Sequence, residues 1–92
     1  MIRSFKDKRA ERLMRGARVP DFEGFARQAE KRLRLLEAAD SLQALRMLPS
    51  NRFEALKGDR AGQYSIRINR QWRICFAWDD DGGHEVEIVD YH

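Results

Sequence analysis

The sequence predicts an α+β fold, with two N-terminal helices packed on one face of a small antiparallel sheet. Three observations predict it. Apolar residues recur at helical spacing through the first half of the chain; from residue 63 they alternate with polar ones; and Asp/Gly-rich or polar triplets cut the alternating stretch into strand-sized pieces.

Each element follows in order. Residues 2–5 suit a short strand. Residues 6–15 place Ala10, Leu13 and Met14 at helical spacing, and Gly16 is a stop. Pro20-Asp21 reads as a turn and N-cap before Phe22, Phe25, Ala29, Leu33 and Leu36, one apolar stripe, with Arg27, Glu30, Lys31, Arg34 and Glu37 on the other side. Asp40-Ser41 caps a short turn through Leu45, and Pro49 ends helical structure. Tyr64, Ile66 and Ile68 then share one side of a strand, and Trp72, Ile74, Phe76 and Trp78 one side of the next. Val86 and Ile88 begin a third after the turn Asp80-Asp81-Gly82-Gly83.

Ninety-two residues make a single domain, 1–92, with room for one core and no separate cofactor domain. A hydrophobic content of 42% with nine aromatic residues argues against wholesale disorder. No apolar run approaches the ~18–20 residues that span a bilayer, and no secretory leader follows the basic start, so a cytoplasmic protein with no membrane partner is expected. The lone Cys75 excludes an internal disulfide framework and every multi-cysteine zinc pattern. Neither a P-loop nor an EF-hand spacing is present, and no cofactor or metal is expected.

The net charge of +3 hides an asymmetry. Residues 1–18 carry seven Lys/Arg against two acids, and residues 52–73 carry six against two. Residues 79–92 carry six acids and no Lys or Arg. Two basic segments favour a polyanionic partner; a solvated surface balanced by the acidic end is the plainer alternative.

Register sharpens the charge argument. Keeping both apolar sides together pairs Tyr64 with Phe76 and Ile66 with Ile74, leaves Asn69-Arg70-Gln71 as the loop, and sets Arg67 opposite Arg73 on the polar face. Like charges so placed repel. An anion between them turns repulsion into binding, and arginine forks suit phosphate. The alternative is that Glu87 or another carboxylate on the next strand neutralises one of them. Lys57-Gly58-Asp59-Arg60 is a turn ahead of this hairpin. His84 reads as an exposed loop residue, and Cys75 as structural. Continued alternation from Glu85 would put Tyr91 on the side of Arg73, free to stack on a base, with His92 able to titrate near neutral pH.

The segments MIRSF at 1–5, LKGDRAGQYSIRIN at 56–69, QWRICFAW at 71–78 and VEIVDYH at 86–92 together resemble the HigB toxins. These form the killer-protein branch of the RelE/ParE type II toxin superfamily. The resemblance covers essentially the full chain and implies a RelE/ParE-like fold. It implies a ribosome-dependent, metal-independent endoribonuclease (an mRNA interferase) that cuts translated mRNA in the A site, partnered by a HigA-type helix-turn-helix antitoxin. Operator DNA would be met only through the antitoxin complex. The implied site is Lys57, Arg67, Arg73, Asp90, Tyr91 and His92. The arginines would hold the scissile phosphate, and Lys57 would offset charge or assist proton transfer. Tyr91 would stack or orient a base, and Asp90 and His92 would complete the proton-transfer group. The chain departs from the family pattern at Glu54, where some relatives carry histidine, at Arg70, commonly acidic, and at Ala77, often arginine. A ParE-like gyrase poison, or a non-catalytic RNA- or ribosome-binding module, is the rival reading; only the ribonuclease should need the terminal Asp90-Tyr91-His92 group.

Overall fold

In the computed structural model, which describes residues 1–90, the helices α1 (Lys8–Met14), α2 (Ala26–Ala38) and α3 (Leu42–Arg46) precede a four-stranded antiparallel sheet. Its strands β1 (Glu54–Ala55), β2 (Gln63–Arg67), β3 (Trp72–Asp79) and β4 (Gly82–Asp90) lie side by side in chain order. The core lies between α1–α2 and one sheet face. Ala10, Leu13, Phe22, Phe25, Ala29, Leu33 and Leu36 meet Ile66, Ile74, Phe76, Val86 and Ile88 there. Among the described residues no helix is long and apolar enough to cross a membrane.

Local chemistry sets the helix ends. Asp7 caps α1 by accepting from the Arg9 amide at 2.9 Å. Arg9 then forks between Asp7 at 3.0 Å and Asp21 at 2.8 Å, its guanidinium over the Phe22 ring. Hydrogen bonds to these two carboxylates raise its pKa further, so it stays charged. Asp21 is therefore spent on α1 and caps nothing, contrary to the sequence expectation. Residues Pro20–Phe25 instead wind as a 3-10 helix, and α2 begins only at Ala26. The tighter winding has a reason: residues three apart eclipse, so Phe22 and Phe25 both turn inward and meet Trp72. Ser41, not Asp40, caps α3 through the Ala44 amide at 3.2 Å. Pro49 opens a second 3-10 turn, Pro49–Asn51, rather than closing helical structure; proline lacks only a donor that a first turn leaves unused.

The hairpin register is the expected one: Tyr64 opposite Phe76, Ile66 opposite Ile74, Arg67 opposite Arg73. The Asn69 carboxamide oxygen closes the loop by accepting from the Gln71 and Trp72 amides, each at 2.8 Å. Two features differ from expectation. The β3–β4 turn is Asp80-Asp81, so β4 starts at Gly82 and carries His84 on a strand. Between Cys75 and Ala77 the pairing also shifts, with Cys75 opposite Glu87 but Ala77 opposite His84, and Glu85 takes a positive φ of 54°.

The expected N-terminal strand exists as two parallel bridges, Ile2 to Gly83 and Phe5 to Val86. Ser4 serves the bulge twice. Its hydroxyl accepts the Glu85 amide at 2.9 Å and its carbonyl the Val86 amide at 3.1 Å. Gly82 has to be glycine here: its φ is +124° and an added Cβ would lie 2.1 Å from the Met1 carbonyl oxygen. Outside this segment the Ile2 amide donates to Glu37 at 2.9 Å, so a helix carboxylate occupies part of the exposed edge.

Candidate nucleic-acid site on the open sheet face

The sheet face away from the helices carries Ser65 and Arg67 from β2, Arg73 and Cys75 from β3, and Glu87 from β4, as alternation from the buried Ile66, Ile74 and Ile88 requires. Arg67 and Arg73 are direct cross-strand neighbours, but they are not equivalent. Arg67 donates Nε–H to the Asn69 carbonyl at 3.0 Å, and among the described residues its two terminal nitrogens meet no carboxylate. Arg73 is more confined, with a side chain 13% exposed. Its Nε–H donates to Ser65 Oγ at 2.8 Å and Nη2 to the Arg52 carbonyl at 2.6 Å.

A carboxylate does approach the pair, though not the one the sequence suggested. Glu54 on β1, 57% exposed, lies 3.5 Å from Arg73 Nη2. Glu87 is instead held by Arg60 at 3.1 Å and Lys6 at 3.5 Å. The Glu54 contact is long and its carboxylate end is more than half exposed, and contacts of that kind are worth ~0–1 kcal/mol. An incoming phosphate can displace it. β1 itself, two residues long, gave no periodic signal in the sequence, so this contact was not legible there.

The remaining expected site residues divide. Lys57 is exposed between β1 and the 3-10 turn Gly58–Arg60, beside a shallow depression that Glu54, Leu56 and Arg60 also line. It is thus on the β1 side of the arginine pair. Asp90 is not beside that pair: alternation from Ile88 puts it on the helix-covered face, opposite Trp72, where its carboxylate accepts from Gln71 Nε2 at 2.8 Å. Tyr91 and His92 lie outside the described residues.

Cys75 is fully buried under this face. Burial pushes its thiol up from about 9 to about 11, with Arg60 pulling weakly the other way. It is no nucleophile at neutral pH. The native thiol is expected to resist an aromatic disulfide reagent at pH 8 and to react at once in denaturant; rapid reaction of the native protein would contradict this burial. Because the folded-state value lies above the unfolded one, Cys75 favours folding fully below about pH 9. That contribution declines as pH rises from about 9 to about 11.

The β3–β4 turn gathers Asp79, Asp81 and His84, whose ligand-capable atoms lie within 4.8 Å of one another. Sequence spacing did not reveal this group, because it depends on the tight Asp80-Asp81 turn, whose regular pairing of Asp79 with Gly82 and Ala77 with His84 brings His84 alongside Asp79. Its geometry is that of the turn itself: Asp79 accepts the Asp81 amide at 2.8 Å and contacts His84 Nε2 at 3.0 Å. The backbone hydrogen bond from Asp81, helped by His84, holds the Asp79 carboxyl below its ordinary pKa.

Helices covering one face of a four-stranded antiparallel sheet define the fold class. The YoeB-YefM complex from Staphylococcus aureus contains a chain of the same fold: TM-score 0.57 at 20% identity, covering 100% of this chain and 98% of that one. The chain belongs to the HigB-like toxin family, whose model, described as the RelE-like toxin of type II toxin-antitoxin system HigB, matches residues 3–92. It is 46% identical over 50 residues to "Toxin HigB-1" of Vibrio cholerae serotype O1 (54% of this chain, 53% of that protein). It is 40% identical over 37 residues to "Endoribonuclease HigB" of Proteus vulgaris, 40% of each chain. The matched stretches thus span about half the length of the first relative and two fifths of the second.

Proposed function

We propose that this chain is a ribosome-dependent, metal-independent endoribonuclease that cleaves translated mRNA in the A site and so inhibits translation. The observation that carries the reading is the register-paired Arg67 and Arg73, with the terminal nitrogens of Arg67 meeting no carboxylate among the described residues. Two guanidinium groups at one spot repel each other and stabilise the extra negative charge of a phosphorane-like transition state. The endoribonuclease name of the Proteus vulgaris relative supports the same chemistry.

In the proposed reaction a ribose 2′-OH attacks the adjacent phosphorus, the P–O5′ bond breaks, and a 2′,3′-cyclic phosphate forms. The 2′-OH proton passes to a base and the departing 5′-oxygen takes one from an acid. Arg67 and Arg73 hold the scissile phosphate, and Lys57 offsets charge or assists proton transfer. Tyr91 stacks on or orients a base. His92 is the proposed proton-transfer group, while Asp90, on the other face of the sheet, braces the end of β4 through Gln71. A HigA-type helix-turn-helix antitoxin is the proposed partner, operator DNA being met only in that complex, and the cytoplasm the proposed compartment. The exposed Arg12, Arg15 and Arg18 suit either ribosomal RNA or an acidic antitoxin segment.

The test is a translation reaction with purified ribosomes and a defined mRNA, mapping 5′ ends with the parent chain and with His92→Ala. Cuts within codons that need ribosomes, leave a 2′,3′-cyclic phosphate and vanish in the variant support the reading. Intact mRNA alongside active control translation rejects it and makes gyrase the next target.

A further inference from the structure

The confinement of Arg73 has its own architecture. Its two short hydrogen bonds go to neutral oxygens, the Ser65 hydroxyl and the Arg52 carbonyl. Ser65 is fully buried although it lies on the open face. Arg52 sits at φ 46°, ψ 49°, the left-handed region that a non-glycine residue seldom occupies, and this turn presents its carbonyl to Arg73. The residue before it is clamped from both neighbouring helices. Asn51 is fully buried; its side chain donates to the Leu45 carbonyl at 3.0 Å and accepts from Arg32 at 2.7 Å. The segment leading into Arg52 is therefore anchored on α2 and α3.

We propose that Ser65 and the left-handed backbone at Arg52 are positioning residues for Arg73, locking its guanidinium so that its remaining edge faces the anion shared with Arg67. Neutral acceptors fit this task. A buried carboxylate would hold the side chain as firmly but cancel its charge, whereas a hydroxyl and a carbonyl fix the rotamer and leave the positive field in place. Arginine otherwise loses much rotamer freedom on binding, and a guanidinium locked in advance has already met that cost. The strained Arg52 conformation is then maintained by the Asn51 clamp, and its product is one well-aimed carbonyl. The effect on turnover rests on the ribonuclease reading; the locking of Arg73 does not.

The experiment therefore uses two readouts. Nitrogen-15 NMR of arginine Nε–H groups reports whether Arg73 is locked, with the resonance assigned by its loss in Arg73→Lys. In the parent chain it should be resolved and slow to exchange; in Ser65→Ala it should exchange at least about tenfold faster, and Ser65→Thr, which restores a hydroxyl, should recover it. Arg52→Gly keeps a residue at ease with positive φ and should retain the protected Arg73 signal, while Arg52→Val, stiff and β-branched, should lose it. Thermal melts confirm that each variant is folded. In the ribosome assay Ser65→Ala should lower kcat about tenfold with KM changed less than about twofold, because a misaimed group costs turnover more than binding. A folded Ser65→Ala protein that keeps the slow Arg73 exchange overturns the proposal. So does equal loss of the signal in Arg52→Gly and Arg52→Val, a comparison that stands even if Ser65→Ala does not fold. If the parent cleaves no RNA, the ribonuclease reading fails and the exchange data alone decide the positioning role.

Discussion

Arg67→Ala is expected to cut ribosome-dependent mRNA cleavage by about 10²–10³-fold while leaving the fold intact. That is the usual loss when one preorganised donor to a developing oxyanion is removed. The structure makes this variant unusually clean. Among the described residues the Arg67 side chain makes one hydrogen bond, to the carbonyl of its own hairpin loop, and it sits opposite a like charge. Removing it forfeits little and relieves a cross-strand repulsion of a few tenths of a kcal/mol or more, so the melting temperature should hold or rise slightly. Activity and stability are thus expected to move apart. Arg67→Lys separates charge from shape: a lysine keeps the charge but has no planar fork, so only part of the activity should return. Single-turnover cleavage on programmed ribosomes, with a thermal melt of each variant, measures both. A folded Arg67→Ala protein that cleaves at the parent rate would remove the arginine pair from the reaction.

Phe76→Ala is expected to have the largest effect on stability. Phe76 is fully buried at the centre of β3, with the Tyr64 ring 6.1 Å away on β2 and the Trp78 ring at 6.3 Å. Truncating a buried phenylalanine costs ~3–5 kcal/mol, a large share of the ~5–15 kcal/mol that holds a small domain together. At ~4–8 °C per kcal/mol for a chain of this size, the midpoint should fall by at least about 12 °C, read by circular dichroism. Phe76→Leu, which retains most of the volume, should cost distinctly less. A drop of only a few degrees would mean that the sheet and helices are not sharing one core.

These two residues also mark what the sequence made legible. Phe76 and Arg67 were both readable because period-two alternation on β2 and β3 leaves one register that keeps the apolar sides together, and that register settles the polar side as well. Family membership, too, was legible in the motifs along the chain. What escaped depends on backbone geometry. β1 is two residues long, too short for any pattern, yet it brings Glu54 to Arg73. The Arg52 carbonyl that holds Arg73 belongs to a left-handed residue, and arginine gives no hint of positive φ as glycine would. The tight Asp80-Asp81 turn puts His84 on a strand beside Asp79 instead of in the expected loop. In the helical half, Asp21 looked like a cap, and only the position of Arg9 in space shows why it is not one.

The seam between residues 2–5 and β4 has a kinetic consequence. Its hydrogen bonds join residues some 80 positions apart, with Ser4 bonded to Glu85, 81 positions on, and also to Val86. Contacts so distant are late to form, since the entropy of closing the loop has to be met before they return anything. The hairpin of β2 and β3 can assemble locally, but the far edge of the sheet stays open until both β4 and the N-terminal segment are available. During synthesis, then, the arginine face can be present on a partly built sheet whose other border is still unsealed. The interval before sealing is when the chain is most exposed to proteolysis and to strand exchange with another copy.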